Sequence, residues 1–426
     1  MEDREWNFSQ ARPIPSSIFH LPSSFLIASI GAGGSIHALT CQETREIGFI
    51  VILIFIVISN RVTIKITTGI RIEMLQREQW FRIFGGITAA LAFWLTTPSA
   101  PAADFFSLRT NTLARVVIVT DTQATFNFQP DNARVQTMVE RGITNLTGKA
   151  TAAEAWRSFV STQDIVGIKV ASAAGAISGT RPAVAAAVVH GLLAAGVPPG
   201  HVIIWDKYEK DLRAAGYARL ATQLGVRTAG AEDIGYDPTN FYNPDTAIIG
   251  HLVWGDLEFG QKGEGVGRKS FVSKLVSRHM TKIISIAPLL NENYAGVCGH
   301  LYGLAMGSVD NTLRFEGDPD RLAVAVPEIY ALPLLGDRVV LNITDALIGQ
   351  YAGGDKGLLQ YSEVPNQLWF SRDPVALDTL SLKELDRVRH AVDAPAFKPN
   401  LELYTNAALL QLGVNDPAKI PVEKIQ

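Results

Sequence analysis

The sequence predicts an α/β fold in three layers: a mostly parallel sheet with helices on both faces and loop or hairpin insertions. Three observations point there. Short runs rich in Val and Ile recur along the chain, alanine-rich helical stretches separate them, and Gly and Pro mark the changes. Alternation of this kind builds βαβ units rather than a sandwich or a bundle.

The elements follow in order. Residues 115–120 (RVVIVT) and 164–170 (DIVGIKV) read as the first two strands. Residues 182–195 open on Pro182, run through alanines and stop at Gly196, which is the signature of a helix. A strand at 201–206 (HVIIWD) leads into a helical stretch at 208–224, and further strands are expected at 281–287 and 338–345. Residues 368–371 form a short strand before a helix from 374 to about 389. Two segments break the rhythm. Residues 234–268, rich in Gly, Asp and aromatics, read as an inserted hairpin or long loop, and residues 291–301 as a second irregular insertion.

This domain is expected to occupy residues 103–426. Before it, Arg77 and Arg82 precede an apolar stretch, 83–95, and the small-residue motif Ala100-Pro101-Ala102. A positive front, an apolar core and an A-x-A site are the parts of a secretory signal peptide, here residues 74–102, with Ala103 as the first mature residue. The same segment also fits an N-terminal transmembrane anchor, although its apolar core is shorter than the ~20 residues that span a bilayer. Residues 1–73 are a doubtful extension, either upstream of a true start at Met74 or a membrane segment containing the apolar run 47–59. The localisation expected is periplasmic or extracellular.

The chain carries 38 Lys+Arg against 41 Asp+Glu, a net charge of −3. It shows no basic stripe for nucleic acid and no polybasic patch for anionic lipid, so membrane contact is expected only through the N-terminal segment. Of its two cysteines, Cys298 alone lies beyond residue 102. That excludes an internal disulfide and any Cys-rich iron–sulfur framework in the mature domain.

Three groups of residues could carry chemistry. In the loop 169–182, Lys169, Thr180 and Arg181 flank a helix start, where free backbone N–H groups attract anions. The plainer alternative is a βα loop with Thr180 as N-cap and Pro182 in the first turn. Asp206, Asp345 and Asp373 each follow a predicted strand. Ligands of open parallel sheets bind outside the carboxyl ends of the strands, so these acids suit acid–base work or a divalent cation such as Mg²⁺ or Ca²⁺. Asp373, just before Pro374, also suits a helix cap, and Asp378 a solvent-facing position. The third group, in 291–303, includes Asn293, Cys298 and His300. A thiol and an imidazole two residues apart need partners from elsewhere to hold a metal, and His300 alone reads as a hydrogen-bonded structural histidine.

The segments GIKVASAAG, TRPAVAAAVVHGLLAAGV, HVIIWDKYEKDLRAAGY, NYAGVCGHLYGLAMGSVDN, RVVLNITDAL with YAGG, and SRDPVALDTL occur in this order. In that order, over about residues 116–420, the chain resembles domain-of-unknown-function family 362, a family of bacterial proteins that are often exported. Some members are fused to ferredoxin-like iron–sulfur modules, and no established reaction comes with the family. The resemblance matches Lys169, Asp206, Asp345, Asp373 and Asp378 to family positions. It departs where many relatives carry Lys and His, since this chain has Leu290-Asn291-Glu292-Asn293 and Gly303 to Gly307. No ferredoxin-like module accompanies the domain, so no iron–sulfur cluster is expected. The function expected is an enzyme acting on a small polar or anionic substrate in a strand-end crevice. Lys169 and Arg181 would hold the anionic group, while Asp206, Asp345 and Asp373 act around it. The alternative is a non-catalytic ligand-binding or redox-partner protein.

Overall fold

A computed structural model describes residues 26–30, 36–40, 114–242, 267–354, 356–395 and 397–426. The chain divides into two units, Met1–Pro98 and Ser99–Gln426. In the first, Leu26–Ile30 and Ile36–Thr40 pair as an antiparallel ladder. The signal-like segment 74–102 lies outside the described residues, as do residues 103–113 and the middle of the first insertion, 243–266.

In the second unit the apolar runs become β1 (Val116–Thr120), β2 (Val166–Lys169), β3 (Val202–Asp206) and β4 (Arg227–Gly230). The first insertion supplies the arms β5 (Tyr236–Tyr242) and β6 (Ser270–Ser273), paired antiparallel as the hairpin reading expects. There follow β7 (Lys282–Glu292), β8 (Val339–Gln350), β9 (Gln367–Ser371) and β10 (Val422–Ile425). The main sheet runs β10–β1–β9–β8–β7–β2–β3–β4, and two short returning strands, Gly296–Val297 and Ser362–Glu363, bring it to ten. Every pairing along this path is parallel except the two made by β9. The fold is therefore the three-layer, mostly parallel α/β architecture that the sequence predicts.

The helices used below are α1 (Asn132–Thr147), α2 (Pro182–Ala194), α3 (Glu209–Ala214), α4 (Tyr217–Leu224), α5 (His300–Ser308), α6 (Pro319–Tyr330), α7 (Pro374–Ala391) and α8 (Leu401–Leu409), and further short ones lie at Ala152–Arg157, Gly175–Ser178 and Ala231–Ile234. Strand side chains alternate between two cores. Val117, Val119, Ile168, Ile204 and Ile343 pack with α1–α4, through residues such as Met138, Val188 and Tyr217. Val116, Ile118, Ile203, Trp205 and Ile283 pack with α5–α8, through Leu304, Val326, Val375 and Leu403. The helical stretch 208–224 is two helices because Gly216, at φ 90°, turns the chain left-handed between them.

Two differences from the predicted elements bear on the site. Strand β8 runs on to Gln350, so Asp345 lies inside a strand rather than at its end. Strand β9 is reversed: Asp345 faces Leu368 and Asn342 faces Ser371 in the β8–β9 register. Residues 351–366 contain no α-helix to cross a face of the sheet, and a connection without such a crossover returns the chain antiparallel. Asp373, just beyond Ser371, therefore sits at the opposite rim from Lys169 and Asp206. Among the described residues no helix is long and apolar enough to cross a membrane.

Candidate functional site

From β2 the chain steps outward through β3 to β4, then returns to place β7 on the other side of β2, with β8 beyond it. The strand order thus reverses between β2 and β7, the position where open parallel sheets leave a crevice. A cavity of about 350 Å³ opens there. The ends of β2, β3 and β7 contribute Lys169, Asp206, Lys207 and Leu290 to it; α5 contributes Tyr302, Met306 and Gly307; and Cys298, Thr312, Leu313, Glu316, Tyr208 and Asp211 are also in the wall.

Lys169 and Asp206 form its floor. Lys169 follows Ile168 in the strand alternation and so emerges on the α5 side of the sheet. Its Nζ lies 2.8 Å from Asp206 Oδ1 and donates to the Val170 carbonyl at 2.7 Å. Asp206 Oδ2 accepts from the Ser172 backbone N–H at 2.7 Å and from its hydroxyl at 2.6 Å, while Oδ1 accepts from Lys207 N. Burial alone would raise this carboxyl. The Lys169 charge and the Ser172 donors outweigh it and hold Asp206 below the usual carboxylate range. Gly307 admits the lysine, because a Cβ there would lie 2.5 Å from Lys169 Cε.

A second chain of groups runs along the wall. Lys207 Nζ donates to Thr312 Oγ1 at 3.1 Å, and that hydroxyl donates to Glu316 Oε2 at 3.0 Å. Burial pushes the Lys207 ammonium below the usual lysine range, against the opposing pull of Glu316, Glu232, Asp310 and Asp206. Sequence reasoning missed this set. Lys207 stood in view as the residue after Asp206 in the IIWDK segment, but nothing linked it to Thr312 and Glu316, more than a hundred residues further on.

The other candidates are drawn elsewhere. Asp345 alternates in phase with Ile343 and Leu347, which pack with α1–α4, and so faces away from the cavity. Its Oδ1 lies 2.9 Å from Arg181 Nη1, and its Oδ2 accepts from the Arg181 backbone N–H at 2.8 Å. Arg181 Nη2 donates to the Ile177 and Ile348 carbonyls, both at 2.6 Å. Both side chains are buried. The helix start that was to hold a ligand anion holds the protein's own carboxylate, so neither Arg181 nor Asp345 reaches the crevice. Thr180 is not the N-cap of α2; that position is Arg181. The Thr180 hydroxyl instead accepts from Ala171 N and donates to the Ile286 carbonyl, tying the β2 loop to β7.

Asp373 is the N-cap of α7, accepting from Ala376 N and Val414 N. With these backbone partners opposing it, burial still raises its carboxyl to about 6. Asp378 is buried rather than solvent-facing and accepts from His300 N and Leu301 N at the start of α5. Burial raises it to about 7. His300 has its ring nitrogens 2.9 Å from Ser285 Oγ and 3.1 Å from Thr344 Oγ1, and burial lowers it to about 3. It is a buried, neutral histidine in the first turn of α5 and does not line the cavity. Asn293 is exposed in the turn that follows β7 and does not line the cavity. Cys298 does line it, but burial pushes its thiol up to about 12.

Asp206, Asp345 and Asp373 therefore do not converge, and among the described residues no three His, Cys, Asp or Glu side chains form a cation site. What the fold and cavity define is an α/β protein with a lysine-lined pocket at the point where its strand order reverses. No family model matches the chain, and no curated protein does. A solved crystal structure of a protein from Thermotoga maritima is similar at 9% identity and a TM-score of 0.35, covering 62% of this chain and 60% of that one. This chain thus spans less than two thirds of that protein's length, and a likeness of this size carries no argument about either fold or function.

Proposed function

We propose that this protein is an exported enzyme acting on a small polar or anionic molecule held in the strand-end cavity. One observation carries the reading. An ammonium has three N–H donors, and among the described residues Lys169 uses one on Asp206 and one on Val170, which leaves a third at the cavity floor beside the Lys207 wall. The order of the six segments that resemble domain-of-unknown-function family 362 supports membership of that family, and the signal-like residues 74–102 support export.

A binding-only reading has its own support, since two of the three proposed acids, Asp345 and Asp373, serve the fold. Thermal-shift titration with small hydroxy acids, oxo acids and sugar phosphates separates the possibilities. At least one class should raise the melting temperature of the parent, and its dissociation constant should weaken about tenfold or more in Lys169→Met, the loss of roughly one charge-assisted hydrogen bond. If every compound shifts the parent and the variant equally, the cavity is not the site.

A further inference from the structure

Both lysines of the cavity are near carboxylates, but they are connected to them differently. Lys169 touches Asp206 directly, Nζ to Oδ1 at 2.8 Å. Lys207 meets a neutral hydroxyl first, and Glu316 lies one hydrogen bond further, exposed at the cavity mouth. Among the described residues no carboxylate oxygen pairs with Lys207 Nζ within salt-bridge distance. An amine placed this way can give up its proton without leaving a buried charge unpaired, because the Thr312 hydroxyl both accepts from it and donates onward.

We infer that Lys207 is the reactive amine of the cavity and condenses with the carbonyl group of a small aldehyde or ketone, with Thr312 and Glu316 carrying its proton. This rests on the reading that the cavity is the substrate site. The ammonium passes one proton through the Thr312 hydroxyl to the Glu316 carboxylate. The free amine then adds to the carbonyl carbon, and the former carbonyl oxygen takes a proton from the nitrogen to give a carbinolamine. Glu316 returns its proton to that hydroxyl, the C–O bond breaks, and water leaves. Nitrogen keeps its last proton as a protonated imine, so ammonium and carbonyl become iminium and water with no oxidant or reductant. The lowering of Lys207 by burial favours the free amine, against the opposing pull of the nearby carboxylates.

The test is reductive trapping. The full-length protein is incubated separately with pyruvate, glyoxylate and dihydroxyacetone in the presence of cyanoborohydride, and the labelled lysines are mapped by peptide mass spectrometry. Lys207 should be labelled by at least one probe about tenfold or more faster than the exposed Lys149, Lys210 and Lys424, since a lowered lysine holds a larger fraction of free amine at a given pH. Glu316→Gln should slow that labelling while leaving the exposed lysines unchanged, and Lys207→Arg should abolish it. Labelling confined to exposed lysines overturns the inference. Thermal shift with the same probes separates the two claims. A probe that stabilises the parent but forms no Lys207 adduct leaves the cavity reading standing and removes the imine, whereas compounds that neither bind nor label remove both.

Discussion

Arg181–Asp345 and Lys169–Asp206 are both buried pairs, closed at 2.9 and 2.8 Å. The first is sealed within the protein. Its guanidinium Nη2 donates to the Ile177 and Ile348 carbonyls, its Nε meets no partner among the described residues, and the carboxylate caps the backbone of α2. The second is built from a smaller cation, backed by Trp205 with its ring centroid 5.6 Å away, and it borders a cavity instead of a wall of carbonyls. Burial and pairing alone therefore do not distinguish architecture from a site. What distinguishes them is whether empty volume adjoins the pair.

The largest effect that could break this comparison is on stability. Asp345→Ala leaves Arg181 charged and sealed, and should cost about 3–5 kcal/mol in urea unfolding. Asp206→Ala should cost less, about 1–3 kcal/mol, because the cavity lets water reach the lysine it abandons. Asp345→Asn should also destabilise, because it removes the charge that faces the guanidinium. If Asp206→Ala proves the more damaging change, the sealed and open pairs have been misassigned.

A smaller effect sharpens the contrast through pH. Asp206 is lowered, so its contribution to stability is fully present above the ordinary value of 3.8 and is lost as pH falls below it. Asp378 has only backbone donors, no cation pairs with it among the described residues, and it is raised to about 7. Its contribution is fully present below 3.8 and is lost as pH rises toward about 7. Urea titrations from pH 3 to 8 of the parent against Asp206→Asn and against Asp378→Asn should give stability differences that slope in opposite directions. Equal slopes would mean that the pairing does not govern these carboxyls.

The smallest effect concerns the cavity wall. With its thiol near 12, Cys298 should react slowly with a thiol-specific disulfide reagent at pH 8 in the folded protein and fully in denaturant. Rapid reaction in the native state would show a more polar and more open cavity than the packing around α5 allows.

Much of the fold could be read in advance because its signals are local. The Val/Ile runs, the Pro182 start and the two Gly/Asn-rich interruptions each lie within a few residues of what they determine. The site was legible only in part. Lys169 and Asp206 reach the cavity as expected, whereas Arg181, Thr180, Asp345, Asp373, His300 and Asn293 do not. Strands buried on both faces are apolar at every position, so their pattern does not reveal which face a polar residue takes. That is how Lys169 and Asp345 came to be assigned to one crevice.

The sequence by itself determined the alternation of strands and helices, a mostly parallel sheet, and a basic and an acidic residue at the ends of β2 and β3. Tertiary structure alone decided the rest. A strand's period of two reads the same in either direction, so only the pairing of β9 with β8 and β1 could send Asp373 to the far rim. Contacts across long separations, Arg181 with Asp345 and Lys207 with Thr312, depend on which strands and loops become neighbours, and no local propensity records that choice.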